Sequence, residues 1–268
     1  MHYSYLDLNL CQNEFINTDF IDTLNYNIDN NLVEPYFQAI MDNKNDKIIK
    51  YEALMRIFDK DNNIILPNVF IHKAKKCRLY NKLMEILIDK IIIYILKYKI
   101  HVSINLDYID ILNPQIKKSL ITKVKDNKIG EYLTLEILES EKVSNFSIVN
   151  EFISEIKKFG VKIAIDDFGT GFSNYENILN LNIDYIKIDG SLIKRIDEDI
   201  YLNLIKSIVL FSKQQNIKVV AEFVSDLKIL RYVKNIEIDY SQGYHIGKPM
   251  SIQELFGEKI ETTTKKDN

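Results

Sequence analysis

The sequence predicts an α/β fold of the (β/α)8 barrel class, on two observations. Short apolar or β-branched runs alternate with longer stretches whose apolar residues recur every three or four positions. Strands that alternate with helices in this way predict parallel strands covered by helices. In addition, seven of the short runs lead directly into a polar residue. These seven residues are Glu52, Asn105, Glu136, Asp166, Lys187, Glu222 and Gln242.

The number of predicted strands matches a closed barrel. The seven runs cover residues 48–51, 101–104, 132–135, 161–165, 183–186, 217–221 and 238–241, and the run 34–41 makes eight. Helical periodicity is clearest over residues 70–97, 143–160 and 200–216. Because barrels of this class carry their chemistry at the C-terminal ends of the strands, we expect the seven polar residues to meet at one mouth.

Two adjacent carboxylates, Asp166 and Asp167, follow the apolar run 161–165. Side by side at the end of a buried strand they repel each other and lose hydration, a cost that a bridging divalent cation removes. Gly169 and Gly171 allow the following chain to turn tightly around a ligand. Asp-Asp-x-Gly is also ordinary turn chemistry, so on this stretch alone an exposed turn remains an equal alternative.

Length and composition indicate one barrel domain with short tails. The chain has 268 residues, and a barrel of roughly 250 residues is a single unit. We expect an N-terminal extension over residues 1–30 with one helix near residues 18–28, a barrel over residues 31–255, and a disordered tail over residues 256–268.

Charge and composition argue against several classes of partner. A net charge of −3 offers no basic field for a nucleic acid polymer or a membrane surface, and the apolar run 91–96 is far too short to span a membrane. Cys11 and Cys77 lack disulfide or metal spacing, which indicates reduced thiols and a cytoplasmic protein. The four histidines are scattered, which disfavours zinc. Carboxylate and amide oxygens instead favour Mg²⁺ or Mn²⁺.

Six short motifs carry a resemblance to a known family. In chain order they are residues 51–56 (YEALMR), 103–105 (SIN), 135–139 (LEILE), 166–171 (DDFGTG), 185–189 (YIKID) and 241–244 (SQGY). Over residues 33–249 the sequence resembles the EAL-domain cyclic di-GMP phosphodiesterases. The resemblance implies a TIM-like barrel whose first strand runs antiparallel to the rest. It also implies hydrolysis of cyclic di-GMP to linear pGpG with two metal ions in each site.

The resemblance also implies roles for the polar residues. One metal would be held by Glu52, Asn105, Glu136, Asp166 and Glu222. Asp167 would reach the second metal, and Lys187 would hold the attacking water and complement the phosphate charge. Glu139 would steady the loop 166–173, with Gly169, Gly171 and Ser225 supporting it. The family also forms dimers near the segment 167–181, which implies a homodimer.

For the substrate, the resemblance implies that Gln38 and Arg56 make contacts, Arg56 through phosphate oxygens. Gln242 would orient the site, Leu54 would form an apolar wall, and the segment from Tyr244 to Pro249 would lie near a guanine. Three of these residues have a plain alternative. Arg56 could be a surface ion-pair partner, Gln38 a solvated strand residue, and Leu54 part of the core.

Two positions depart from the family pattern next to Glu222. The family usually has glycine where this chain has Phe223, and a second glutamate where it has Ser225. Loss of a carboxylate that supports a metal site can cost on the order of 10–100-fold in metal affinity or activity. We therefore keep three hypotheses: an active phosphodiesterase, a catalytically weak cyclic di-GMP receptor, and an interaction module that retains only the barrel.

Overall fold

A computed structural model describes residues 18–138, 146–169 and 179–257, and these form a closed barrel. Its strands are β1 (Glu34–Asp42), β2 (Lys47–Phe58), β3 (Ile64–Ile65), β4 (Val102–Leu106), β5 (Leu133–Leu138), β6 (Lys162–Phe168), β7 (Tyr185–Ile188), β8 (Lys218–Ala221) and β9 (Tyr240–Gln242). The two-residue strand β3 only extends β2 as a hairpin outside the ring. The other eight strands pair in sequence around the barrel, and β1 closes it between β2 and β9.

The first strand runs in the opposite direction to its neighbours. β1 pairs antiparallel with both β2 and β9, whereas every pair from β2 through β4 to β9 is parallel. The predicted (β/α)8 barrel with an antiparallel first strand is confirmed. A short hairpin turn between β1 and β2 requires this direction, because parallel neighbours need a long crossover connection.

The helices surround the barrel. They are α1 (Thr18–Asp29), α2 (Pro67–Lys76), α3 (Tyr80–Tyr98), α4 (Tyr108–Leu112), α5 (Pro114–Asn127), α6 (Phe146–Ile156), α7 (Gly190–Ile193), α8 (Asp199–Gln214), α9 (Leu227–Asn235) and α10 (Ile252–Phe256). Where the periodicity predicts one helical stretch over residues 70–97, the structure has α2 and α3. Arg78 separates them with φ +58°, a left-handed conformation that ends a helix.

The polar residues lie within the strands more often than after them. Glu52 is near the middle of β2, and Asp166 and Lys187 are also inside strands, whereas Glu222 directly follows β8. Strands extend past these residues because ladder hydrogen bonds continue on both sides of a side chain that points into the barrel. The expectation of convergence at the mouth is therefore met by inward-pointing residues.

The N-terminal helix α1 packs on the barrel wall. Leu24 is fully buried in the hydrophobic core, which α1 joins from outside. Asn27 is also fully buried, and its amide exchanges two hydrogen bonds with the backbone of Phe58 at the end of β2, at 2.7 and 2.8 Å. The helix thus satisfies backbone groups that the end of the strand would otherwise leave unpaired. Among the described residues, no helix combines the length and apolar character needed to cross a membrane.

Candidate active site

Lys187 of β7 lies at the centre of the barrel mouth. Its side chain is 1% exposed, and its Nζ atom lies 2.6 Å from Glu136 Oε2, 2.8 Å from Glu222 Oε1 and 2.9 Å from Asp166 Oδ1. Burial alone would lower the pKa of Lys187, but the surrounding carboxylates outweigh it and raise the pKa well above its ordinary value. Lys187 is therefore a permanently charged donor rather than a base.

Glu52 is held by three neighbours from three different strands. Asn105 Nδ2 donates a 2.7 Å hydrogen bond to Oε1, and Gln242 Nε2 donates one of 2.5 Å to Oε2. Lys187 Nζ lies 3.5 Å from Oε2. Burial favours the neutral acid, but Lys187 and the two amides prevail and lower the pKa of Glu52. Glu52 is therefore an oriented carboxylate over the whole neutral pH range.

Glu136 and Glu222 carry the opposite shift. Burial raises the pKa of Glu136 to about 7 and that of Glu222 to about 8, and repulsion from Glu52 and Asp166 adds to it, although Lys187 opposes it in both cases. The shared cause is an excess of negative charge in a site shielded from water. The carboxyl groups of Glu52, Glu136, Asp166 and Glu222 all lie within 3.5 Å of the single Lys187 ammonium. The site therefore favours the binding of an additional positive charge, such as a metal cation.

A bulge places Asp166 and Asp167 together. The register between β6 and β7 shifts between Ile165 and Phe168, and Asp167 has φ +56°. An extra residue at a bulge redirects the side chains around it, so two adjacent carboxylates can both reach the mouth. Asp167 is half-buried, and burial, Asp166 and a hydrogen bond with Asp189 raise its pKa to about 6. Oxygens of Asp166, Asp167 and Glu222 all lie within 4.8 Å of one another, close enough to bind divalent cations.

The atoms at this site fit a divalent cation. Glu136 Oε1 is buried and has no hydrogen-bond donor among the described residues, so it offers a free acceptor. Asp166 Oδ1 lies near Lys187 without hydrogen-bond geometry. Burial of a carboxylate oxygen that accepts no hydrogen bond costs free energy, and a bound metal ion removes this cost. All donors are oxygens, which suits hard cations and disfavours zinc.

Of the residues predicted to touch substrate, Gln38 and Arg56 lie next to the carboxylate site. Gln38 is buried, accepts from Gln242 at 3.2 Å and donates to Gly247 O at 3.1 Å. Arg56 is also buried, and its Nη1 donates to Met55 O at 2.9 Å, so it is not a surface ion-pair residue. Leu54 is half-buried and is not part of the hydrophobic core cluster. Tyr244 is 66% exposed and interacts electrostatically with Arg56, while Pro249 is half-buried.

The model of the EAL domain family matches residues 21–249 of this chain. The chain belongs to the EAL domain family. It is 34% identical over 232 residues to the cyclic di-GMP phosphodiesterase PdeA of Borreliella burgdorferi, covering 84% of this chain and 35% of that protein. It is 29% identical over 244 residues to the cyclic di-GMP phosphodiesterase PdeB of Shewanella oneidensis, covering 88% of this chain and 28% of that protein. The chain thus spans about a third of these relatives.

Solved EAL structures have the same fold. An EAL domain protein from Listeria monocytogenes superposes with a TM-score of 0.80 at 27% identity, covering 91% of this chain and 97% of that one. The FimX EAL domain of Pseudomonas aeruginosa, solved with bound cyclic di-GMP, superposes with a TM-score of 0.81 at 21% identity, covering 87% and 96% of the two chains. At that identity the second likeness concerns the fold alone.

Of the four residues predicted to support the loop beside the EAL site, the structure describes two. Ser225 is exposed, and its hydroxyl donates to Asp226 Oδ2 at 2.9 Å rather than toward the carboxylates. Gly169 has φ +103°, which suits the turn expected there. Glu139 and Gly171 lie outside the described residues, as does most of the segment 167–181.

Sequence reasoning missed Lys50, a buried residue of this EAL barrel. Its Nζ lies 3.8 Å from the centroid of the Tyr185 ring. Burial lowers the pKa of Lys50 to about 8, with the charge of Lys187 adding to this and the attraction of Glu136 and Glu52 opposing it. The signal was available, because Lys50 precedes Glu52 by two residues and side chains two apart in a strand share a face.

Proposed function

We propose that this EAL domain is a metal-dependent phosphodiesterase that hydrolyses cyclic di-GMP to linear pGpG. The observation that carries the proposal is the ring of five buried or half-buried carboxyl groups, Glu52, Glu136, Asp166, Asp167 and Glu222, around the Lys187 ammonium. The names of the curated relatives supply the substrate. The site supplies donors for cations and a fixed positive charge that faces a phosphate.

The proposed cofactor is a pair of Mg²⁺ or Mn²⁺ ions. Glu52, Asn105, Glu136, Asp166 and Glu222 would hold one ion, and Asp167 would reach the other. Such ions, when bound, lower the pKa of a water molecule and stabilise the charge that develops on a phosphodiester. Glu136 Oε1, which accepts no hydrogen bond from the described residues, and the raised pKa values of Glu136 and Glu222 support this assignment. Both observations reflect excess negative charge, which a bound cation would neutralise.

The chain's own residues would divide the remaining work. Lys187 would donate hydrogen bonds to the attacking water and offset the phosphate charge as an ammonium, the form that the surrounding carboxylates favour. Asn105 and Gln242 hold the Glu52 carboxylate in one orientation through its two oxygens. Arg56 is buried at the mouth, where a guanidinium suits bidentate contact with phosphate oxygens. Gln38 fixes Gln242 and the segment that follows it.

The test is incubation of the purified protein with cyclic di-GMP and Mn²⁺ or Mg²⁺, followed by chromatographic separation of the nucleotides. The expected product is pGpG, formed only with metal and abolished by EDTA. Intact cyclic di-GMP after prolonged incubation with either metal would contradict the proposal.

A catalytically weak receptor is the second candidate, favoured by the changes at Phe223 and Ser225. The Ser225 hydroxyl is directed to Asp226, so it gives the carboxylate ring no direct support. A receptor would bind cyclic di-GMP, measured by calorimetry, without producing pGpG. Intact ligands at Glu52 and Asp166 favour the enzyme.

The proposal extends to assembly and location. We place the protein in the cytoplasm, where Cys77 would remain reduced, and expect an isologous homodimer. Light scattering at high micromolar concentration should report a mass of twice the chain's 31.5 kDa. A fully active monomer at that concentration would contradict the dimer.

A further inference from the structure

Phe223 combines three features that together need an explanation. It directly follows Glu222 at the mouth, its φ is +53°, and its side chain is 56% exposed. A bulky residue in the left-handed region is strained, and strain of this kind collects at functional sites. Burial in the core does not offset this strain, because more than half of the residue is exposed to solvent.

The backbone at Gly190, the first residue of α7, leaves room for the Phe223 ring. A Cβ atom at Gly190 would lie 2.2 Å from Phe223 Cδ2 and 2.5 Å from its Cγ. Gly190 itself has no positive φ, so its own conformation does not require glycine. The close approach of the ring does. Gly190 and Phe223 are therefore a matched pair across the ends of β7 and β8, where Glu222 N donates to Ile188 O at 3.2 Å.

The ring borders the acidic cluster. Gly190 follows Asp189, whose carboxyl group shares a hydrogen bond with Asp167. Glu222 and Asp167 both belong to the cluster that could hold a cation. Phe223 therefore adjoins this cluster through Glu222 and through its contact with Gly190, which is next to Asp189. Lys194 Nζ lies 4.6 Å from the ring centroid. Lys194 is exposed and, within the part of the chain that the structure describes, forms no ion pair, so its side chain can yield the ring to a ligand.

We propose that Phe223 is a specificity-determining residue whose exposed ring, seated on Gly190, stacks against a purine base of the nucleotide bound at the carboxylate ring. This inference rests on the proposed function, since it takes the substrate from there. Stacking of a base on an aromatic side chain needs only an exposed face of the ring. The Lys194 ammonium beside the ring adds a donor for the acceptor atoms on the edge of a purine.

The experiment compares wild type with Phe223→Leu, which keeps apolar bulk without a π-face, and Phe223→Tyr, which keeps the ring. Phe256→Leu is the matched control, because Phe256 is an exposed aromatic residue that stacks on Tyr98 at 4.1 Å. Loss of one stacked base lowers affinity by roughly five- to a hundredfold. We expect Phe223→Leu to raise KM for cyclic di-GMP about tenfold, with kcat changed less than about twofold. The Tyr variant and the Phe256 control should match wild type.

A second readout separates stacking from a structural role. Manganese affinity, measured calorimetrically without nucleotide, should be the same in wild type and both Phe223 variants. A structural role would change metal affinity or would leave KM unaffected. If wild type hydrolyses cyclic di-GMP and Phe223→Leu has the same KM as wild type, the inference is wrong and the proposed function stands. Binding without turnover would overturn the hydrolase, and the same variants, compared by Kd, would still decide the inference. A wild-type protein that neither binds nor turns over cyclic di-GMP would overturn both.

Discussion

At the scale of single residues, Lys187 and Glu52 show how neighbours rather than residue type set chemistry. Both side chains are almost completely buried, and burial opposes the charge of each. Each is nevertheless charged, because the site supplies partners of opposite charge or hydrogen-bond donors. Glu136 and Glu222 are the same residue type as Glu52 and shift in the opposite direction, since they lack the two amide donors that Glu52 has.

Glu52→Ala tests the metal site at this scale. The change removes a proposed charged ligand of the metal, so turnover of cyclic di-GMP should fall by at least about 100-fold, while the fold persists because mouth residues contribute little to a barrel core. Initial rates with Mn²⁺ give the first quantity and circular dichroism gives the second. Glu237→Ala, on an exposed surface pair with Lys213, is the control and should keep full activity. Retention of more than a tenth of wild-type turnover in folded Glu52→Ala would remove Glu52 from the metal site.

Ser225→Glu tests the departure beside Glu222. Phe223 has a left-handed φ, the conformation open to a glycine there, so it need not have reshaped the turn. We expect Ser225→Glu to raise turnover, most visibly at low Mg²⁺, where metal occupancy limits the rate. Ser225→Gln has the same size without the charge and should not improve on wild type.

The double variant Phe223→Gly with Ser225→Glu separates repulsion from obstruction. If only the double variant improves on wild type across a Mg²⁺ titration, the Phe223 ring obstructs the new carboxylate. If neither variant improves at any concentration, Ser225 does not limit the rate, and the weak-receptor hypothesis loses its main support.

At the scale of elements, the Asn27 side chain joins α1 to the end of β2. The Asn27 amide satisfies both the N–H and the carbonyl of Phe58, and a third hydrogen bond runs to Thr23 O at 2.9 Å. The division of the chain into a separate extension over residues 1–30 and a barrel over residues 31–255 stays a prediction. The contact indicates that the helical part of the extension contributes to barrel stability.

Asn27→Ala measures that contribution. It leaves two partly buried backbone groups of Phe58 without the partners that Asn27 supplies, and the free energy of unfolding should fall by about 2–3 kcal/mol. Asn30→Ala is the control, because Asn30 is exposed and bonds only the carbonyl of Tyr26 in its own helix, and it should cost less than about 0.5 kcal/mol. Chemical denaturation followed by circular dichroism provides both values. Equal stability of the two variants would show that α1 is not part of the cooperative unit.

At the scale of the whole molecule, the carboxylate ring makes stability depend on pH when no metal is bound. Glu136 and Glu222 have folded pKa values of about 7 and about 8, above the ordinary value of 4.5. A carboxyl group with a raised folded pKa binds its proton more tightly in the folded state, so stability falls as pH rises through the window from 4.5 to about 8. The ring thus favours folding when protonated or metal-bound.

The melting temperature of the protein in EDTA should therefore be lower at pH 8 than at pH 5.5. Mn²⁺ should raise it more at pH 8, because protons and metal compete for the same oxygens. Glu222→Gln should reduce the slope between the two pH values. A metal-free melting temperature that stays constant or rises over this interval would contradict the raised pKa values.

The sequence by itself predicted the fold class, which the structure confirms, and most of the residues that meet in the candidate site. Alternating strands and helices, with a polar residue at each strand, predict a barrel mouth lined with oxygens, because the periodicity of local structure directs side chains. Only the tertiary structure decided which groups touch. Lys187 lies among Glu136, Asp166 and Glu222 because strands distant in sequence pair in one register, and Gly190 admits the Phe223 ring for the same reason. Register and closure depend on the sum of many long-range contacts, which no local pattern contains.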